Sequence, residues 1–144
     1  MDRAGKRFVD QDLGTLLGQA THALYKDFEA QVRAAGLTPI EWRVLATLHD
    51  GAPLTVSQLA LQVLAKQPTV TKLAQRMEDQ GWVRLQADPC DQRRTLVAVT
   101  AAGRRLVKPL VTQAMQHQEQ TLRRLAAAER AVLRRLLEKL RQGA

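Results

Sequence analysis

Two capping boxes in quick succession do most to restrict what this chain can become. In "LTPIEWRVLATLHDG" Thr38 stands as N-cap, Pro39 occupies the first helical position, Glu41 follows three residues after the cap, and Gly51 and Pro53 lie past the end. A Ser or Thr cap with Glu or Gln at the third helical position satisfies two orphan backbone donors reciprocally, so the segment starts and stops as a short helix. "TVSQLALQVLA" repeats the device with Thr55 and Gln58, and Val56, Leu59, Ala60, Val63 and Leu64 recur on one helical face. "KQPTVTKLAQRMEDQGW" then places Pro68 in a first turn, Val70, Leu73, Ala74 and Met77 on one face, and Gly81 where a left-handed cap belongs.

Periodicity switches from helical to alternating after Gly81. "WVRLQ" and "TLVAV" predict two strands with Val83, Leu85, Val97 and Val99 inward. They flank Ala87 to Arg94, which is longer than a minimal hairpin turn and is expected to project. Short helices followed by a hairpin with a projecting basic loop define a winged helix-turn-helix.

Helices flank this module. Asp12 to Ala35 carries Leu13, Leu16, Leu17, Ala20, Leu24 and Phe28 near helical spacing, with Gly36 as a stop. From Thr100, a candidate N-cap, a helix is expected with Leu106, Val107, Leu110, Val111, Ala114 and Met115 inward and a kink at Pro109. "AERAVLRRLLEKLRQ" adds a stripe of Val132, Leu133, Leu136, Leu137 and Leu140. The expected fold is mainly α with a small antiparallel β-hairpin wing. With 144 residues there is room for one core, and 3% aromatic content argues against a sandwich or barrel.

A net charge of +8 favours a polyanionic partner. The basic excess is largest over 123–144, where it reads either as a solvated face or as a contact for nucleic acid. The outer face of the third helix, Gln67, Pro68, Thr69, Thr71, Lys72, Gln75 and Arg76, has no carboxylate before Glu78 and suits a helix entering the major groove. Thr69, Thr71 and Gln75 are candidates for base edges, Lys72 and Arg76 for phosphates.

No run approaches the ~20 apolar residues of a membrane span, so a soluble cytoplasmic protein is expected, with no membrane partner. The single cysteine, Cys90, makes neither an internal disulfide nor a thiolate metal cluster. An enzyme using Cys90 would need an activating histidine, yet His22, His49 and His117 fall in other expected helices, and there is no glycine-rich phosphate loop. His117 and Glu119 are two apart, whereas metal ligands on one helix face want three or four. No catalytic residue, metal site or cofactor is assigned.

Taken together, "LTPIEWRVLATL", "QPTVTKLAQRMEDQGWVR" and above all "DPCDQRRTLVAVTAAG" resemble the MarR family of winged helix-turn-helix transcription regulators. The last stretch fits the family's pattern of two aspartates, an arginine, a hydrophobic strand ending in Thr, and a nearby glycine. The resemblance implies one MarR-type domain over 1–144, with 37–100 the DNA-binding part and 8–36 and 101–144 the dimerisation helices. It further implies a homodimer on a pseudo-palindromic operator of double-stranded DNA, usually a repressor released by a small phenolic or carboxylated compound. A metal- or redox-responsive regulator of the same fold is the alternative.

By the same resemblance Arg93 reaches the minor groove, while Arg94 and Cys90 inherit no role. Asp88 before Pro89 is a turn former, and Asp91 is placed to hold Arg93 or Arg94. For an aromatic effector, His22, Tyr25, Trp42 and Arg43 are candidates in a crevice between the first two helices and the winged module; Trp42 and Tyr25 fit equally as core or interface aromatics. Where relatives cap the last helix with Ser or Thr, "LAAAERA" offers alanines, so the division between the last two helices is unmarked.

Overall fold

The computed structural model describes residue 5 and residues 7–143. In chain order its elements are α1 (Phe8–Gln11), α2 (Leu13–Ala34), α3 (Pro39–Leu48), β1 (Leu54–Thr55), α4 (Val56–Val63), α5 (Gln67–Asp79), β2 (Val83–Asp88), β3 (Asp91–Val99), α6 (Ala101–Leu122) and α7 (Ala127–Gln142). The short α1 and β1 carry no period long enough to be read from sequence.

The helix ends follow from the caps. Glu41 Oε1 accepts the Thr38 N–H at 2.9 Å while Thr38 Oγ1 accepts that of Glu41 at 3.3 Å; Thr55 and Gln58 do the same at 3.0 and 3.1 Å. Asp12 caps α2 by accepting both the backbone N–H and the hydroxyl of Thr15, at 2.8 and 2.7 Å. Gly36 and Gly81, both near φ 80°, close α2 and α5. In each case the next N–H, of Leu37 or Trp82, bonds back to Val32 or Met77.

At the end of α4 Leu64, not a glycine, takes the left-handed conformation at φ 58°. That costs on the order of 1 kcal/mol. It also corrects the expected stripe: the cap turns the side chain outward and Leu64 is 87% exposed, while Leu59, Ala60 and Val63 are buried.

The chain forms two compact units, one from residues up to Phe28 together with Ala114 onward, the other from Glu29 to Gln113. The second contains an antiparallel sheet of order β1-β3-β2, with Leu54 opposite Val97, Val83 opposite Val99 and Leu85 opposite Val97. Its core gathers Val44, Leu45 and Leu48 of α3, Leu59 and Val63 of α4, Val70, Leu73 and Met77 of α5, Val83, Val97, and Val107 and Leu110 of α6. The inward faces of the three short helices and both strands are thus as their periodicities require.

The hairpin differs from the expected long loop. Pairing continues to Asp88 opposite Asp91, with a bulge between Ala87 and Asp88, so only Pro89 and Cys90 lie between the strands. The wing is paired as far as Ala87 and Thr95; Gln92, Arg93 and Arg94 then form a bulge on β3 before Asp91 meets Asp88 at a tight tip. Asp88 Oδ1 accepts the Cys90 N–H at 2.9 Å, which turns the chain locally.

In the first unit the apolar stripes are uncovered. Phe28 is buried and its ring lies 5.9 Å from that of His117, but Phe8, Leu13, Leu16, Leu17, Val132, Leu133, Leu136, Leu137 and Leu140 are exposed, and α7 buries no residue. Met115, expected inward, is 68% exposed; it lies in the half of α6 that belongs to the first unit. α6 runs through Pro109 as one helix. It gives way to α7 across residues 123–126, where Glu129 accepts the Ala126 N–H at 2.8 Å and Arg130 donates to Glu119 at 2.9 Å. Half a capping box and one ion pair replace the missing cap.

Candidate nucleic-acid interface

α5 buries Val70, Leu73, Ala74 and Met77, which turns the rest of the helix outward: Gln67, Pro68, Thr69, Thr71, Lys72, Gln75 and Arg76 are all exposed. Thr69, Lys72, Gln75 and Arg76 line one shallow depression with Asp79. The first turn carries no acidic residue, and Lys66, the N-cap residue, makes no side-chain cap. The start of α5 therefore has neither a side-chain cap nor an acidic residue to oppose its positive dipole end, a helix N-terminus of the kind that attracts anionic oxygen.

A second depression of about 470 Å³ runs between the start of α4, the outer face of α5 and the wing. Ser57, Gln58, Gln67, Thr71, Gln75, Arg93 and Arg94 are among its walls. The arrangement places Gln67, Thr71, Gln75, Arg93 and Arg94, half of the residues singled out from sequence for DNA, around one concavity, while Pro68, Thr69, Lys72, Arg76 and Asp91 lie outside it. It also adds Ser57 and Gln58, which sequence reasoning missed because they read only as the first turn of a capped helix. Gln67 Nε2 donates to Ser57 Oγ at 3.0 Å, tying the two short helices together at their starts.

The wing is fixed to α5 by another contact invisible to local patterns: Glu78 Oε2 accepts the Leu85 N–H at 2.6 Å. This satisfies a strand donor with a carboxylate oxygen and ties the ribbon to the helix. At the far end Asp91 divides its carboxylate. One oxygen accepts the Arg93 backbone N–H at 3.0 Å and the other lies 3.6 Å from Arg94 Nε. Asp91 thus pairs with the Arg94 side chain, and among the described residues no carboxylate pairs with the Arg93 guanidinium.

The effector candidates divide between the units. His22 and Tyr25, both exposed, are on α2 in the first; Trp42, half-buried, and Arg43, exposed, are on α3 in the second. Cys90 is exposed. No group of three or more His, Cys, Asp and Glu side chains among the described residues is placed to hold a metal ion, and no helix among them is long and apolar enough to cross a membrane.

Residues 35–94 match the family model described as "MarR family". A solved MarR family transcriptional regulator from Silicibacter pomeroyi DSS-3 is 34% identical and superposes with a TM-score of 0.81, covering 94% of this chain and 99% of that one. Bordetella bronchiseptica BpsR, whose DNA binding is regulated by 6-hydroxynicotinic acid, is 28% identical with a TM-score of 0.78 over 95% of this chain and 97% of its own. The transcriptional repressor NicR of Pseudomonas putida is 29% identical over 132 residues, 92% of this chain and 84% of NicR.

Proposed function

The chain belongs to the MarR family of DNA-binding transcriptional regulators, and from that premise we propose that it is a homodimeric repressor released from its operator by a hydroxylated aromatic carboxylate. In this reading 37–100 is the DNA-binding part, and 8–36 with 101–144 supply the dimer. Two copies of α5 enter successive major grooves, with half-sites about 10 to 10.5 base pairs apart or a multiple of that. Thr69, Thr71 and Gln75 meet base edges, with Gln67 and Pro68 at the helix start. Lys72 and Arg76 meet phosphates, and Arg93 enters the minor groove while Asp91 holds Arg94 beside it.

The observation that carries the reading is the concavity bounded by α4, α5 and the wing, in which hydrogen-bonding and cationic side chains converge above a mainly apolar core. Support for a dimer comes from the uncovered stripe of α7, since an amphipathic helix left without a partner for its apolar face is an association surface. Support for the effector class comes from BpsR and its hydroxylated pyridine carboxylate. His22, Tyr25, Trp42 and Arg43 are the candidate ligand-binding residues, Arg43 for the carboxylate and the aromatics for the ring.

Duplexes selected from a random pool by the purified protein test this directly. The affinity is expected to fall steeply with salt, and Lys72→Ala or Arg76→Ala to weaken all duplexes alike and lower the logarithmic salt slope by about 1 each. Adding 6-hydroxynicotinate is expected to release the duplex, an effect that Trp42→Ala and Arg43→Ala reduce. Salt-insensitive binding would refute the DNA reading, and release that both Trp42→Ala and Arg43→Ala leave unchanged would refute the assigned ligand residues.

A further inference from the structure

We propose that Ser57 is a positioning residue for base recognition: its hydroxyl holds the Gln67 amide so that Gln67 reads an adenine at one position of each half-site. The inference rests on α5 lying in the major groove and adds a determinant that belongs to the neighbouring helix.

Gln67 is the first residue of α5, followed by Pro68, and its side chain is exposed. A glutamine at such a position has several rotamers open to it and an amide that turns freely, so alone it is a poor discriminator between bases. Here Gln67 Nε2 donates to Ser57 Oγ at 3.0 Å across ten residues of chain. Ser57 in turn sits on a rigid platform. It lies between Thr55 and Gln58, whose side chains and backbones are locked reciprocally in the capping box that opens α4. The hydroxyl is thus carried on backbone that the capping box holds in place.

The chemistry of the amide makes this bond informative. A primary amide carries two N–H donors and one carbonyl oxygen. When the N–H trans to Oε1 is given to Ser57, the N–H cis to Oε1 and Oε1 itself remain on the same edge of the planar group. Those are the adjacent donor and acceptor that pair with N7 and the N6 amino group of adenine in the major groove. Ser57 and Gln67 both line the concavity that also holds Thr71, Gln75 and Arg93, so the oriented amide faces the side that the proposed interface presents to DNA.

The experiment uses a duplex selected from a random double-stranded pool by the unmodified protein. Each base pair is then replaced in turn, symmetrically in both half-sites. Affinities are measured by fluorescence anisotropy for the parent, Ser57→Ala, Ser57→Thr, Gln67→Ala and the Ser57→Ala/Gln67→Ala double variant. The parent is expected to lose on the order of ten-fold when one particular A·T pair is replaced. Gln67→Ala and Ser57→Ala each flatten that preference, the double variant flattens it no further, and Ser57→Thr, which keeps the hydroxyl, restores it.

Uniform weakening of every duplex by Ser57→Ala, with the preference intact, overturns the proposal and makes Ser57 a phosphate contact. An effect of Ser57→Ala on that preference that persists without Gln67 also overturns it. If Gln67→Ala changes no preference while Thr69→Ala or Gln75→Ala does, α5 still reads the groove and this inference alone fails. If the parent selects no duplex, both fall together.

Discussion

A methyl group on Gly103 tests how closely α6 is seated on the base of the wing. A Cβ built there meets the Trp82 carbonyl oxygen at 2.2 Å, Val99 Cγ2 at 2.9 Å and the Trp82 carbonyl carbon at 3.1 Å. The carbonyl is held in place, because it accepts the Thr100 N–H at 3.0 Å, and Thr100 Oγ1 donates to the neighbouring Gly81 carbonyl at 2.6 Å while accepting the Gly103 N–H at 3.1 Å. In a helix without such a neighbour, Gly→Ala is favourable by about 1 kcal/mol. Here the gain is opposed by overpacking, typically about 1–3 kcal/mol, against backbone that has no flexible end to yield. Because the overlap is with backbone, the cost belongs at the top of that range, and the sum is a destabilisation of about 2 kcal/mol, or a melting point lower by about 4–8 °C for a chain of this size. Gly18, inside α2, is the control: its added methyl meets nothing within 4 Å, so Gly18→Ala should raise the melting point slightly. Circular dichroism at 222 nm, with all variants at one protomer concentration, reads both. An unchanged or raised melting point for Gly103→Ala would refute the argument, since it would mean that α6 and Trp82 are not in contact.

Arg93→Ala is expected to weaken operator binding more than Arg94→Ala, because Arg94 is already engaged by Asp91; equal losses in anisotropy titrations would remove the distinction. Leu133→Glu combined with Leu137→Glu, both on the uncovered stripe of α7, should leave a folded monomer at micromolar concentration in sedimentation experiments; an intact dimer would place the interface elsewhere. Hydrogen bonds from the Thr15 hydroxyl and backbone N–H hold the Asp12 carboxyl below its usual 3.8. A carboxyl depressed on folding contributes stability above its unfolded value and loses it as pH falls through the folded one, so Asp12→Asn should flatten the pH dependence of unfolding in the region below about 4; a parallel curve displaced at every pH would refute this. Cys90→Ser should keep full operator affinity and normal release by ligand, while release by mild peroxide in the parent but not in the variant would make the wing tip a redox switch.

Several features of this chain are local, and those were legible one residue at a time. A cap and its N3 partner lie within one turn, so Thr38 with Glu41 and Thr55 with Gln58 announce α3 and α4. Val83, Leu85, Val97 and Val99 announce β2 and β3 by alternation, and Val70, Leu73, Ala74 and Met77 separate the buried face of α5 from the face offered to DNA. Gly103, at the end of "DPCDQRRTLVAVTAAG", is legible only as a pattern, and its reason, the carbonyl of Trp82 against it, belongs to the packed structure. Asp88 and Asp91 are weak strand formers, so the tip reads as loop, yet they pair with each other across the ribbon and leave two residues to turn. Asp91 had two arginines within reach along the chain, and the ribbon's geometry assigned the backbone of one and the side chain of the other. Likewise Ser57 meets Gln67 and Glu78 meets Leu85 only once separate elements have been docked. Backbone hydrogen bonding and hydrophobic period act over a few residues and so are written in order along the chain, whereas the bonds that aim the side chains of the interface join residues whose nearness is produced by burying the core.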